Sequence, residues 1–155
     1  MPLEIERKFL IINDTWRTEK IGVFFRQGYL CHNAESIVRV RITGPQEAWL
    51  TIKSRIDELT RLEYEYPIPL ADATEMLDRL CHNQLVEKIR YNIPYADLVW
   101  EIDEFQGNNA GLLIAEVELN SSDQHITLPP WVGEEVTQDR RYYNNYLAIH
   151  PYKQW

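Results

Sequence analysis

Doublets of like charge, spaced two residues apart, recur along this chain. Glu4 and Glu6 precede Lys8, Arg39 and Arg41 flank Val40, Glu63 and Glu65 flank Tyr64, and Lys88 and Arg90 flank Ile89. Glu101 and Asp103 flank Ile102, and Glu116 and Glu118 flank Val117. On a β-strand, a spacing of two puts both members on one face. The opposite parity is apolar in most of these segments, as in Val38-Val40-Ile42, Trp100-Ile102 and Ala115-Val117-Leu119. An antiparallel sheet with one wet face would show a charged side too. Solvated faces, however, mix signs and neutral polar groups, whereas these are doublets of one sign. Each such pair costs about 1 kcal/mol at 4 Å in water and about 4 kcal/mol at an effective dielectric near 20. A polar cavity relieves that repulsion if a bound polyanion meets the cations and a bound divalent metal meets the carboxylates. Hard carboxylate oxygens suit Mg²⁺ or Mn²⁺ rather than Zn²⁺.

The elements that must carry these groups read mostly as strands. Patterning predicts strands over Glu4–Ile12, Val23–Leu30, Ser36–Thr43, Ala48–Ser54, Arg61–Ile68, Gln84–Ile93, Leu98–Phe105 and Leu113–Leu119. Turn signals fall at Gly44-Pro45, at Gly107-Asn108-Asn109 and from Asn92 to Tyr95. One helix is predicted from an N-cap at Asp72, with Glu75 three residues on and Met76, Leu77 and Leu80 as its apolar stripe. A second, shorter helix is expected from Thr137 towards Ala148, and a single helical turn around Trp16 within Asn13–Lys20. About eight strands joined by short turns suggest an antiparallel sheet that closes or nearly closes, since closure removes exposed edges.

The 155 residues suit one domain with a real core, and 45% hydrophobic with 26% charged residues is ordinary globular composition. The net charge of −8 argues against a general nucleic-acid binder, which needs a broad basic field. No apolar run approaches membrane-spanning length, and the cytoplasm is the expected compartment. Cys31 and Cys81 do not form a disulfide framework. Cys31-His32 and Cys81-His82 make a poor zinc set, because adjacent strand residues point apart. No phosphate-cradling glycine loop is present.

The ordered set resembles the CYTH proteins, the triphosphate tunnel metalloenzymes. Their N-terminal Glu-x-Glu-x-Lys strand is present as Glu4, Glu6 and Lys8. The likeness continues through Arg39-Val40-Arg41, Thr51-Ile52-Lys53, Glu63-Tyr64-Glu65, Glu87-Lys88-Ile89-Arg90-Tyr91, Glu101-Ile102-Asp103, Glu116-Val117-Glu118 and Asp139-Arg140-Arg141-Tyr142-Tyr143-Asn144. The resemblance covers essentially the whole chain, residues 1–155, as a single domain. It implies a mainly β fold, an eight-stranded antiparallel barrel forming a hydrophilic tunnel, with a few helices packed outside. It is most similar to the short bacterial members that hydrolyse inorganic triphosphate.

The resemblance also implies roles for individual residues. Lys8, Arg39, Arg41, Lys53, Arg61, Lys88 and Arg90 would bind the substrate, arginines in bidentate fashion and lysines as point charges. Glu4, Glu6, Glu63, Glu65, Asp103, Glu116 and Glu118 would hold Mg²⁺ or Mn²⁺, with Glu101 as a further carboxylate. Glu6, Glu63, Glu65 and Lys88 form the expected catalytic set. Tyr29 is read as packing, or as a contact to product or a gate, and Tyr142 and Tyr146 as a plug on the barrel. The expected partner is a small triphosphate, with no nucleic acid and no membrane; a homodimer is left open. Two alternatives on the same fold are an adenylate cyclase and an organic triphosphatase acting on thiamine triphosphate or nucleotides. A third is a non-catalytic binder of polyphosphate or of a triphosphorylated ligand.

Overall fold

Antiparallel pairing around a closed ring gives the charge doublets their common orientation. The computed structural model describes residues 2–32 and 36–155. Its strands are β1 (Leu3–Ile11), β2 (Val23–His32), β3 (Ser36–Thr43), β4 (Glu47–Arg55), β5 (Thr60–Pro67), β6 (Leu85–Tyr95), β7 (Leu98–Phe105) and β8 (Leu113–Glu118). They lie in the order β5-β4-β3-β2-β6-β7-β8-β1, and β1 returns to β5 through Leu3–Leu62, Glu4–Arg61 and Ile5–Thr60. The result is a closed eight-stranded antiparallel barrel. A ninth strand, β9 (Val132–Glu135), which the sequence pattern did not predict, pairs with the second half of β1 through Phe9–Glu135 and Ile11–Val132.

Two coverings dry the outer apolar faces, and a third closes one end of the barrel. Trp16 and the 119–131 segment close over Phe9, Trp100, Ile102 and Val117, with Trp100 edge-on to Trp131 at 5.6 Å. Helix α1 (Leu70–Arg79) lays Ala73 and Leu77 on Val40 and Ala48. Gly28 on β2 makes room for this packing, since a Cβ there would meet Leu85 Cδ2 at 2.7 Å and Cys81 Sγ at 2.8 Å. Helix α2 (Asn144–Ile149) sets Leu147 and Ala148 against Tyr29, Val86, Phe105 and Ile114. No helix among the described residues is long and apolar enough to cross a membrane.

Local boundaries differ from expectation in four places. Helix α1 starts after Pro69, not at Asp72; proline pre-sets the N-cap geometry, and Asp72 sits inside the first turn, where its charge favours the helix dipole. Thr137–Asp139 is not helical: Asp139 caps a single 3₁₀ turn over Arg140–Tyr142, and α2 begins only at Asn144. Around Trp16 the chain makes a turn, closed by Arg17 N–H to the Asp14 carbonyl at 3.0 Å, instead of a helical turn. Asn92–Tyr95 stays in β6, with Pro94 opposite Val99. The chain reverses at Ala96-Asp97, with φ of 45° and 67°.

Candidate active site

The inward parity of all eight barrel strands converges on one cavity of about 320 Å³. Glu4, Glu6 and Lys8 reach it from β1, Arg39 and Arg41 from β3, Lys53 from β4, and Arg61, Glu63 and Glu65 from β5. Lys88 and Arg90 come from β6, Glu101 from β7, and Glu116 and Glu118 from β8. Every residue expected at the site lines this cavity except Asp103, which lies behind Lys88 and Arg90.

Depth separates the charges. The side chain of Lys88 is 1% exposed and those of Lys8 and Arg39 are 9%, whereas Glu101 and Glu65 are 34% and 39% exposed. Lys88, Lys8 and Arg39 therefore sit in the dry part of the site together with Asp103 and Glu116, whereas Glu65 and Glu101 stand at the wetter mouth. Beyond the cations, α2 stops the dry end of the barrel with the apolar cluster of Leu147, Val86, Phe105 and Ile114.

The deep cations are held by short contacts. Lys88 Nζ donates to Asp103 Oδ2 at 2.8 Å and to Asn144 Oδ1 at 2.9 Å. Arg90 grips both Asp103 oxygens, at 2.7 and 2.8 Å, and reaches Glu101 at 2.7 Å. Lys53 bridges Glu4 at 2.9 Å and Glu63 at 3.1 Å. Lys8 lies 3.4 Å from Glu116, and Arg39 lies 3.6 Å from Glu65. Arg41 differs: its Nε donates to the neutral Gln27 Oε1 at 2.9 Å, and it has no ion-pair partner among the described residues. The Phe25 ring lies 4.7 Å from the Arg41 guanidinium and 4.9 Å from that of Arg90. The buried Arg39 Nε has no hydrogen-bond partner among the described residues.

Ionisation follows these surroundings. Burial, with Arg39 and Arg90 close by, pushes Arg41 down to about 9. Burial likewise pulls Lys88 down to about 7, against the pull of Asp103 and with the repulsion of Arg90 and Arg41. Asp103 goes the other way: burial raises its carboxyl, but Arg90 and Lys88 hold it far below the ordinary carboxylate range. Burial also opposes the Glu116 charge, yet Lys8 and Arg90 keep that carboxyl down at about 2. Glu6 is pushed up to about 8 by burial and by its neighbours Glu116 and Glu4, which Lys53 and Lys8 only partly offset. Glu118 is raised by burial and by Glu4, Glu101 and Glu63. In register, Glu6 faces Glu118 across β1–β8, and Glu101 faces Glu116 across β7–β8.

That acid cluster suits a divalent cation. Its donors are hard oxygens, and Glu6 and Glu118 bear repulsion that a cation would remove. No three acidic, histidine or cysteine side chains among the described residues are grouped as a ready metal cage. A cation sharing its shell with phosphate and water needs only one or two carboxylates from the protein.

Sequence patterning missed Gln27, Thr137, Tyr143, Asn144 and Asn145. The last four enter the cavity from the segment after β9. Gln27 shared its parity with Tyr29 and so could have been read; Thr137–Asn145 has no strand period to betray its facing. Tyr29 also lines the cavity, its hydroxyl accepting from Gln27 Nε2 at 3.0 Å. Tyr142 packs in the stopper, and Tyr146 stacks on His150 at 4.2 Å.

A closed barrel with inward basic and acidic doublets defines a class, and comparison with known proteins agrees with it. The CYTH domain matches residues 2–144, and the chain belongs to the CYTH domain family. It is 42% identical over 153 residues to an inorganic triphosphatase of Acetivibrio thermocellus, covering 99% of this chain and 97% of that protein. It is also 42% identical over 150 residues to an inorganic triphosphatase of Nitrosomonas europaea, covering 94% and 97%. A crystal structure of an inorganic triphosphatase superposes with a TM-score of 0.67 at 38% identity, covering 94% of each chain.

Proposed function

We propose that this chain hydrolyses inorganic triphosphate to pyrophosphate and phosphate, with Mg²⁺ or Mn²⁺ as cofactor. The observation that carries the reading is the Arg41 guanidinium, which lines the cavity beside Arg39 and meets no carboxylate among the described residues. A buried positive charge without a carboxylate partner is costly unless an anion completes it. The names of the two curated relatives support the same substrate. No comparable observation favours the cyclase, the organic triphosphatase or the passive binder.

In this scheme Arg39, Arg41, Arg61 and Arg90 take phosphate oxygens, and Lys8, Lys53 and Lys88 add point charges from the other walls. Water attacks a terminal phosphorus, the bond to the bridging oxygen breaks, and pyrophosphate leaves with the electron pair. Glu63 and Glu65, on the wetter side of the cavity, are placed to take the proton from that water. Glu6 and Lys88, whose charge states are moved towards neutrality, complete the catalytic set. Glu4, Glu6, Glu116 and Glu118 are the residues that would hold the metal, with Glu63 and Glu65 available for a second ion. When bound, the metal neutralises phosphate charge and acidifies water. Asp103, with both oxygens committed to Lys88 and Arg90, serves as their counter-ion, a role that replaces the metal contact expected for it. Most of the acceleration then comes from positioning and charge.

The test is phosphate release from triphosphate, pyrophosphate, ATP and thiamine triphosphate, with Mg²⁺ or Mn²⁺ and after exhaustive chelation. Triphosphate is expected to be the preferred substrate, with turnover lost on chelation and restored by added metal. Cyclic AMP formed from ATP, or full activity without metal, would overturn the reading.

A further inference from the structure

The segment after β9 does more than close the barrel. It is stitched to β1: Val136 N–H donates to the Lys8 carbonyl at 2.8 Å, and Lys8 N–H donates to Thr137 Oγ1 at 3.0 Å. Tyr143 Oη donates to the Thr137 carbonyl at 2.9 Å, which fixes the ring against the cavity. That ring lies 5.2 Å from Lys8 Nζ and 5.4 Å from the Arg61 guanidinium. Asn144 Oδ1 accepts from Lys88 Nζ at 2.9 Å and from Gln27 Nε2 at 3.4 Å, and the Tyr142 carbonyl accepts from Lys8 Nζ at 3.3 Å.

An ammonium has three N–H donors. Lys88 gives one to Asp103 and one to Asn144, while Lys8 faces Glu116 and the Tyr142 carbonyl. Each therefore has a donor to spare, and both side chains line the cavity. Tyr143 and Asn144 line the cavity beside Lys8, Arg61 and Lys88, with the apolar stopper at the same end. At the other end, Glu65, Glu101 and Glu118 would repel any additional phosphoryl group that the cation-lined stretch cannot cover.

Building on the triphosphatase reading, we infer that Tyr143 and Asn144 set substrate length. They form the end wall against which the terminal, unesterified phosphoryl group stops, so that a chain of three phosphoryl groups fits and a chain of four does not. The space filled by the Tyr143 ring is flanked by Lys8 and Arg61. Its removal would open a cationic recess suited to one more phosphoryl group.

The experiment compares inorganic tetraphosphate with inorganic triphosphate, reading the ratio of kcat/KM values on one preparation so that the folded fraction cancels. Tyr143→Ala and Asn144→Gly should each raise the tetraphosphate-to-triphosphate ratio by about tenfold or more, the size of a steric discrimination in a fitted pocket. Tyr143→Phe, which keeps the ring and loses only the bond to Thr137, should leave the ratio within about twofold of wild type. The same ratio of Kd values, measured calorimetrically without metal, tests the wall independently of turnover. Unchanged ratios in both wall variants, with triphosphate still bound or hydrolysed, would overturn the inference. Wild-type protein that binds triphosphate in preference to tetraphosphate but never cleaves it would refute the enzymatic reading and leave the length gauge standing.

Discussion

The deep end and the mouth of the cavity are built from the same alternation and behave differently. Glu101 and Asp103 are two residues apart on β7 and face the same way, yet Asp103 is sealed between Lys88 and Arg90 while Glu101 stands partly in water. Parity decides which side of the sheet a charge takes; its row along the barrel axis decides what that charge can do. In the dry row, most charges stand as partners of one another, and Arg41, which has no carboxylate partner among the described residues, is left for an anion. In the wetter row, carboxylates such as Glu101 and Glu65 stay partly solvated.

The largest effect that would test this contrast is on Asp103. Asp103→Asn leaves Lys88 and Arg90 without their counter-ion, and breaking a buried pair from one side costs about 3–5 kcal/mol. Chemical denaturation should show that loss, whereas Glu101→Gln at the mouth should cost about 1 kcal/mol or less. Equal costs for the two substitutions would mean that depth does not separate them.

Next in size is the effect on turnover. Arg41→Ala removes a guanidinium that meets no carboxylate, and kcat/KM for triphosphate should fall about 10²- to 10³-fold, as for loss of one preorganised charge donor. Arg41→Lys should recover only part of it, because a point charge does not reproduce the planar fork. A loss below about threefold would remove Arg41 from the substrate's path.

The contrast also marks what a reader of the sequence can see. Alternation of charge and hydrocarbon gives eight strands and their inward face, because a period of two is a local property. Depth is not local. Nothing in Glu101-Ile102-Asp103 distinguishes the sealed acid from the wet one; the difference arises from which cations β6 places opposite. The reversal at Ala96-Asp97 was hidden for a similar reason, since neither residue is the glycine that positive φ favours. β9 and the end wall were least visible. Val132–Glu135 is a short strand that owes its pairing to an edge of β1, and Tyr143 and Asn144 reach the cavity through a bend.

The smallest effect concerns Glu6, whose charge the fold resists. Its carboxyl is at 4.5 ordinarily and at about 8 here. Below the lower value it is protonated in both folded and unfolded chains, so it has no bearing on stability. As pH rises past 4.5, the unfolded carboxyl ionises while the folded one keeps its proton, so the native state binds more protons and stability falls with rising pH. Above about 8 both are ionised and the cost is complete. Glu6→Gln removes this slope. In chelator at pH 8.5 the variant should be more stable than wild type by roughly 1–2 kcal/mol, screened by water in the cavity, and equal to it at about pH 4. Added Mg²⁺ should narrow the gap, because it supplies the positive charge that Glu116 and Glu4 deny their neighbour. Parallel Tm profiles from about pH 4 to 8.5 would show that Glu6 ionises freely and that the acid cluster has no need of a cation.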